Sequence, residues 1–253
     1  MNQYPETEPG QPSPGLPLQI EAPEEHRTPY LSYGLIGITG FVYILQVVTE
    51  LVYGVDLPAA LGMKVNELIS AGQYWRLFTP ALLHGSPFHI FFNMYALYAI
   101  GADLERRFGS MRFGLLYLGG AFAGNVMSFL FSPNNSLGAS TAIFGLLGAE
   151  IVFYYHNKKL FGPNARRAIQ QVVTVAAINF LFGLSPGIDN WGHLGGFLGG
   201  LIYTWFSGPR LTFQVEYPVI RVVENGNTQA RSWVGLLLVA LLFSAAAWVK
   251  INN

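Results

Sequence analysis

The chain has 253 residues, of which 51% are hydrophobic and only 11% charged, with no net charge and no cysteine; its mean hydropathy is +0.36. Soluble domains carry about 25% charged residues, so this composition belongs to a membrane protein. The absence of cysteine excludes disulfides, thiolate metal sites and a cysteine nucleophile, and the zero net charge gives no basis for binding nucleic acid.

In chain order, residues 1–29 are rich in Pro, Glu and Gln without an apolar run or the features of a signal peptide, and read as a disordered tail. The first span is expected from about Tyr33 to Tyr53, enough to cross about 30 Å of hydrocarbon, with Glu50 near its far end. Residues 54–87 mix Asp56, Lys64, Asn66, Glu67 and Arg76 with apolar residues, as expected for a structured loop of short interfacial helices. Six further spans are expected near 88–105, 113–131, 139–156, 168–184, 189–207 and 233–249; the fifth span, 168–184, is short and carries Asn179. The stretch 208–232, with Pro209 and Pro218, reads as a polar linker outside the bilayer, and 233–253 as the seventh helix and carboxy terminus. With the amino terminus cytoplasmic, all but Lys64, Arg76 and Lys250 of the 14 Lys and Arg fall on the inner side, which is the bias that sets orientation.

In that topology spans two, four and six all enter from the outer face, each with unusual polar residues near its start. Span two carries His89 and Asn93, four apart and on one helical face; span four carries Ser140 and span six His193. Polar groups at such depths are expensive and usually functional. Gly196 and Gly200 follow His193 on its own face, with Gly195 and Gly199 broadening the stripe. Span four offers Thr141, Gly145 and Ala149 at four-residue intervals, with Gly148 alongside. Small faces of this kind let helix backbones approach closely, and seating one on the other sets His193 beside Ser140. A serine hydroxyl becomes a nucleophile when a neutral imidazole takes its proton. The oxyanion donors available are the Ser140 backbone N–H at a helix start and the side chains of His89 and Asn93. No Asp or Glu is placed to orient His193, since Asp189 lies four residues earlier in the expected loop. The reading is therefore a Ser–His dyad, a reduced form of the triad.

These residues resemble the rhomboid intramembrane serine proteases. Trp75-Arg76 is similar to the family's loop pair, and His89-x-x-x-Asn93 to its second-span motif. Glu105-Arg106-Arg107-Phe108-Gly109 resembles its acidic-basic-glycine turn, Gly138-x-Ser140 its nucleophile motif, and His193 with Gly196 and Gly200 its histidine helix. The resemblance covers about residues 32–207. It implies an all-α polytopic membrane protein: a six-helix catalytic core, 30–207, plus one carboxy-terminal transmembrane helix. It further implies Ser140 as nucleophile, His193 as general base and then acid, and His89, Asn93 and the Ser140 N–H as oxyanion site. Trp75, Arg76 and His84 become structural parts of the first loop, and span five with residues 185–190 the gate and cap. The implied substrates are single-span membrane proteins within the lipid bilayer, cut at small residues beside a helix that unwinds easily. No metal or cofactor is implied, and the setting expected is a bacterial plasma membrane. The chain departs from the family at Thr141, where glycine is usual and a β-branch narrows backbone freedom. It departs again at Phe144, where a tyrosine is frequent; a phenyl ring stacks on His193 but donates no hydrogen bond. Two other readings compete: an inactive relative that binds membrane clients, and a small-molecule transporter or channel. Inactive relatives lose the serine or the histidine, whereas both are present here. A transporter calls for repeated halves with broken helices or for mid-span charges, and Glu150, toward the cytoplasmic end, is the main acid within a span.

Overall fold

The structure, a computed structural model, describes residues 19–21, 28–185, 187–216, 219–226 and 228–252. It is mostly helical. Helix α1 (Tyr30–Tyr53) leads through α2 (Leu57–Gly62), α3 (Asn66–Ser70) and two 3₁₀ turns (Tyr74–Leu77, Thr79–Leu82) to α4 (Pro87–Ala96). A π turn over Leu97–Gly101 joins α4 to α5 (Ala102–Phe108), so the expected second span is one rod with a local widening. There follow α6 (Ser110–Phe131), α7 (Ser140–His156), α8 (Lys158–Phe161), α9 (Pro163–Phe182), α10 (Asn190–Ser207) and α11 (Thr228–Asn252). Helix α9 begins five residues before its expected start, because Gly162 turns the chain with φ 53° and Pro163 occupies the first helical position, where a proline loses no hydrogen bond.

Among the described residues, three helical segments, Tyr30–Tyr53, Ser110–Phe131 and Gln229–Asn252, are long and apolar enough by length and composition to cross a membrane. Burial separates their roles. Of the most apolar window of α6, 72% is buried within the protein, against 11% for α1 and 22% for α11. Helix α6 is therefore the central post, while α1 and α11 present most of their apolar surface outward, to lipid. Phe113, Leu116, Phe129, Leu146, Phe153 and Tyr203 fill the core among α6, α7 and α10, the three helices that pack most extensively on one another.

Glycine governs that packing. A Cβ at Gly196 would overlap the Thr141 carbonyl, and one at Gly200 the Gly145 carbonyl, so α10 meets α7 along the expected stripe. Gly195 and Gly199, expected to broaden that stripe, serve α6 instead. A Cβ at Gly195 would lie 2.6 Å from the Ala123 carbonyl oxygen, and one at Gly199 2.5 Å from Ala123 Cβ. The reason is geometric: consecutive helical residues point about 100° apart, so adjacent glycine pairs open two faces for two neighbours.

Two segments differ from the sequence reading. Within 208–232, Leu211–Glu216 and Val219–Glu224 form the hairpin strands β2 and β3, and Gln19–Glu21 forms a strand, β1, parallel to β3, in the order β1-β3-β2. Val-Ile-Arg-Val-Val is rich in β-branched residues that favour a strand over a linker, and a bidentate Arg112–Glu224 ion pair (2.6 and 2.8 Å) ties the hairpin to α6. The disorder expected for the rest of residues 1–27 lies outside the described residues.

Polar side chains anchor the loops. The buried Glu105 carboxylate accepts from the Leu31 N–H (3.0 Å), the Ser32 N–H and hydroxyl (both 2.7 Å) and the Ser110 hydroxyl (2.6 Å). It thereby satisfies orphan donors at the start of α1, where a helix favours negative charge.

Candidate active site

Ser140 is the first residue of α7, a position whose N–H has no intrahelical acceptor. The preceding turn is built by Gly138, whose φ of 135° and crowded surroundings suit glycine alone. A Cβ there would stand 2.8 Å from His89 Nε2 and 3.6 Å from Ser140 Oγ. That glycine lets the His89 ring and the Ser140 hydroxyl face one small space.

His193 lies in the first turn of α10, which Asp189 caps by accepting the Gly192 N–H at 2.9 Å. Close packing of α10 on α7 brings His193 Nε2 to 2.9 Å from Ser140 Oγ. Phe144, one turn along α7 from Ser140, stacks on the imidazole with ring centroids 4.2 Å apart and planes 12° from parallel. Phe180 of α9 closes on the same ring edge-on at 6.4 Å. His193 Nδ1 is buried and has no hydrogen-bond partner among the described residues. The Asp189 carboxylate is committed to the Gly192 N–H and the Ser128 hydroxyl, so the imidazole is held by stacking and helix position, without an orienting acid.

His89 follows the Ser86 cap of α4, and its Nδ1 accepts the Gly85 N–H at 3.4 Å. Asn93 shares its helical face, but the Asn93 amide donates to the His89 carbonyl at 2.9 Å. One of its two N–H bonds is thus spent on its own helix, a use the spacing did not announce.

Trp75 and Arg76 bond the main chain of the first loop. Trp75 Nε1 donates to the Leu61 carbonyl at 3.1 Å. The buried Arg76 guanidinium donates to Gln73 Oε1 (2.7 Å) and to the carbonyls of Met63 (2.7 Å) and Ala60 (2.8 Å). It ties α2 and the first 3₁₀ turn together, and burial pushes its pKa below the ordinary value. His84 is 2% exposed, edge-on to His89 at 4.9 Å, and its Nε2 accepts the Ala139 N–H at 3.4 Å. Burial first, and His89 second, push its pKa down to about 3, so it stays neutral and able to accept.

Gln46 and Lys64, which were not singled out in the sequence, also build the site. Gln46 of α1 clamps the His84 backbone at both ends, accepting its N–H (3.0 Å) and donating to its carbonyl (3.3 Å), and also donates to Asp56 (2.7 Å). Lys64, fully buried, donates to the carbonyls of Ser132 (3.0 Å) and Asn134 (2.8 Å) and bridges Ser136, tying the first loop to the turn before Ser140. Burial lowers its pKa to about 8, against the attraction of Asp189 and Glu67. Thr141 points away from the serine into the helix interface. A Cβ at Gly124 would lie 2.9 Å from its methyl group, and one at Gly192 3.1 Å. The missing side chains of those glycines make the room that the β-branch occupies. The signal for Gln46 was an amide side chain within an apolar span; Lys64 offered none, because its partners are main-chain carbonyls.

Among the described residues no group of three or more His, Asp or Glu side chains is gathered as for a metal ion.

Residues 71–210 match the family model described as the rhomboid domain. The chain is 39% identical over 195 residues to rhomboid protease GluP of Bacillus subtilis, covering 73% of this chain and 38% of that protein. It is 39% identical over 142 residues to RHOMBOID-like protein 4 of Arabidopsis thaliana, covering 56% and 36% of the two chains. To RHOMBOID-like protein 5 of the same plant it is 33% identical over 188 residues, covering 72% and 59%. The match therefore spans less than two thirds of each of these relatives. They come from a bacterium and a plant, so kinship alone expresses no preference for a bacterial membrane. The chain is an integral, multi-pass membrane protein and belongs to the rhomboid family.

Proposed function

We propose that the protein is an intramembrane serine endopeptidase working through a Ser140–His193 dyad. The observation that carries this reading is the 2.9 Å separation of Ser140 Oγ and His193 Nε2 between two helices held in register by glycine contacts. That is the reach a general base needs.

Ser140 Oγ attacks the scissile carbonyl carbon as its proton passes to His193 Nε2, giving a tetrahedral oxyanion. The Ser140 N–H, His89 Nε2 in its protonated tautomer and the second Asn93 N–H are the donors we assign to it. Collapse breaks the C–N bond, with His193 returning the proton to the leaving amine. Water, deprotonated by His193, then hydrolyses the seryl ester and restores the hydroxyl. With no carboxylate on Nδ1, Phe144 fixes the plane of the imidazole, a task the triad gives to an aspartate.

The substrates we infer are single-span membrane proteins cut close to the end of the bundle where Ser140 lies, and α9 is the gate through which they enter. In this topology six helices form the core, α11 is the added seventh span, and the amino terminus lies on the Lys/Arg-rich cytoplasmic side. The test is cleavage of a labelled single-span substrate by protein in liposomes, beside Ser140→Ala and His193→Ala. Cleavage by the wild type and its loss in both variants is expected. An active Ser140→Ala variant would remove Ser140 as nucleophile, and an inactive wild type across a panel of substrates would favour the client-binding reading.

A further inference from the structure

At the end of the bundle remote from Ser140, α9 separates from α10. Near the site the two are joined, as Asn190 donates to the Phe180 carbonyl at 3.1 Å. Along its length α9 packs mainly on α7, through Phe144, Leu147, Val172 and Ala176, and α10 reaches this cluster only through Phe197. Two adjoining open hollows flank the first half of α9, one against α7 and α10 and the other against α8 and the end of α7. One, of about 610 Å³, is walled by Ile151, Leu201, Ile202, Trp205 and Phe206 and is almost wholly apolar. The other, of about 430 Å³, is lined by Lys158, Ala165, Arg166 and Gln170. Tyr155 and Ile169 line both and form the passage between them.

The two compartments differ in chemistry. No acidic side chain lines either. Lys158 Nζ is held over the Tyr155 ring, 4.7 Å from its centroid, at the passage. Arg166 is exposed and has no salt bridge among the described residues. A cavity in a membrane-spanning bundle does not stay empty, and an apolar slot opening beside two cations at a helix end matches an anionic lipid in both of its parts. Basic pockets between transmembrane helices are a recurring way of holding such headgroups.

We propose that these two hollows beside the first half of α9 bind one anionic phospholipid, an acyl chain in the apolar slot between α7, α9 and α10 and the phosphate between Lys158 and Arg166. This rests on the membrane-spanning nature of the bundle and not on the dyad chemistry. The lipid gives α9 the packing partner that α10 does not provide on this side, and so braces the helix whose other end, through Phe180, touches the His193 ring.

The experiment uses full-length protein in a neutral detergent. Phosphatidylglycerol and phosphatidylcholine of matched chains are titrated in, with retained lipid read by native mass spectrometry and stability by thermal unfolding. Two cations at the headgroup should favour phosphatidylglycerol by about ten- to thirty-fold. The exposed Lys158→Glu/Arg166→Glu pair should abolish that preference, while Ile169→Trp, which fills the passage, should weaken both lipids. Glycerol 1-phosphate at millimolar concentration should displace neither. Equal binding of the two lipids by the wild type, or a preference that survives charge reversal, would overturn the proposal. So would displacement by glycerol 1-phosphate, which would identify a free-phosphate site.

Discussion

At the scale of single residues, the site depends on small groups placed at close quarters. Thr141 stands next to the serine, yet its methyl group lies among Gly124 and Gly192, away from Ser140 Oγ. Thr141→Gly should therefore lower stability by on the order of 1–2 kcal/mol, through lost burial and added backbone freedom, while leaving Ser140 reactive. Thermal unfolding together with active-site labelling in the same detergent checks both halves. His84 gives a pH dependence of definite sign. Its folded pKa of about 3 lies below its ordinary 6.5, so the unfolded chain binds the proton first as pH falls. The stability it contributes is complete above about pH 6.5 and is lost progressively toward pH 3. Melting temperatures between pH 7 and pH 5 should fall more steeply for the wild type than for His84→Gln; parallel curves would contradict this. Ser140, His193 and Gly138 were legible in the sequence because each occupies a short local pattern. Gln46 and Ser128 were not, because their bonds run to residues 38 and 61 positions away, and nothing local marks such a partner.

At the scale of elements, two helices carry the geometry. The face of α10 that holds His193 meets α7 through Gly196 and Gly200, and a methyl group at either would press on a main-chain carbonyl that belongs to α7. Gly200→Ala should destabilise the protein by about 1–3 kcal/mol, the usual cost of overpacking, and should slow cleavage by moving His193 relative to Ser140. The same substitution at Gly187, where nothing lies within 4 Å but φ is +88°, should act on local backbone strain and spare the α7–α10 contact. Unfolding midpoints and turnover of the two variants make the comparison. The glycine stripe could be read from spacing because period and residue type both point to packing. Its division between α7 and α6 could not, since the choice of neighbour is a tertiary fact. The β2–β3 hairpin was hidden by Pro209 and Pro218, which argue against a strand. Pro218 falls between the two strands and Pro209 before the first, so neither interrupts a ladder.

At the scale of the whole molecule, the account is of a bundle with a reactive end and a basic end. The proposed topology puts the turn before Ser140 on one side of the membrane and the start of α9 on the other. Because the chain has no cysteine, Asn135→Cys and Asn164→Cys each introduce a single exposed thiol. An impermeant maleimide added to intact right-side-out cells should label the former at once and the latter only after permeabilisation; the reverse pattern would invert the topology. The helical, membrane-spanning class was open to the sequence because apolar length is a one-dimensional property. The crowding of α6, α7 and α10, with α1 and α11 outside them, is not. Whether His193 makes Ser140 nucleophilic can be measured without choosing any substrate. Wild-type protein, Ser140→Ala and His193→Ala are incubated with a fluorophosphonate, and the adduct is located by peptide mass spectrometry. The account expects a single adduct on Ser140, absent from Ser140→Ala and slowed by at least about a hundredfold in His193→Ala, the lower range for removing a general base. Unchanged labelling in His193→Ala, or an adduct on another residue of the wild type with Ser140 unmodified, would contradict it.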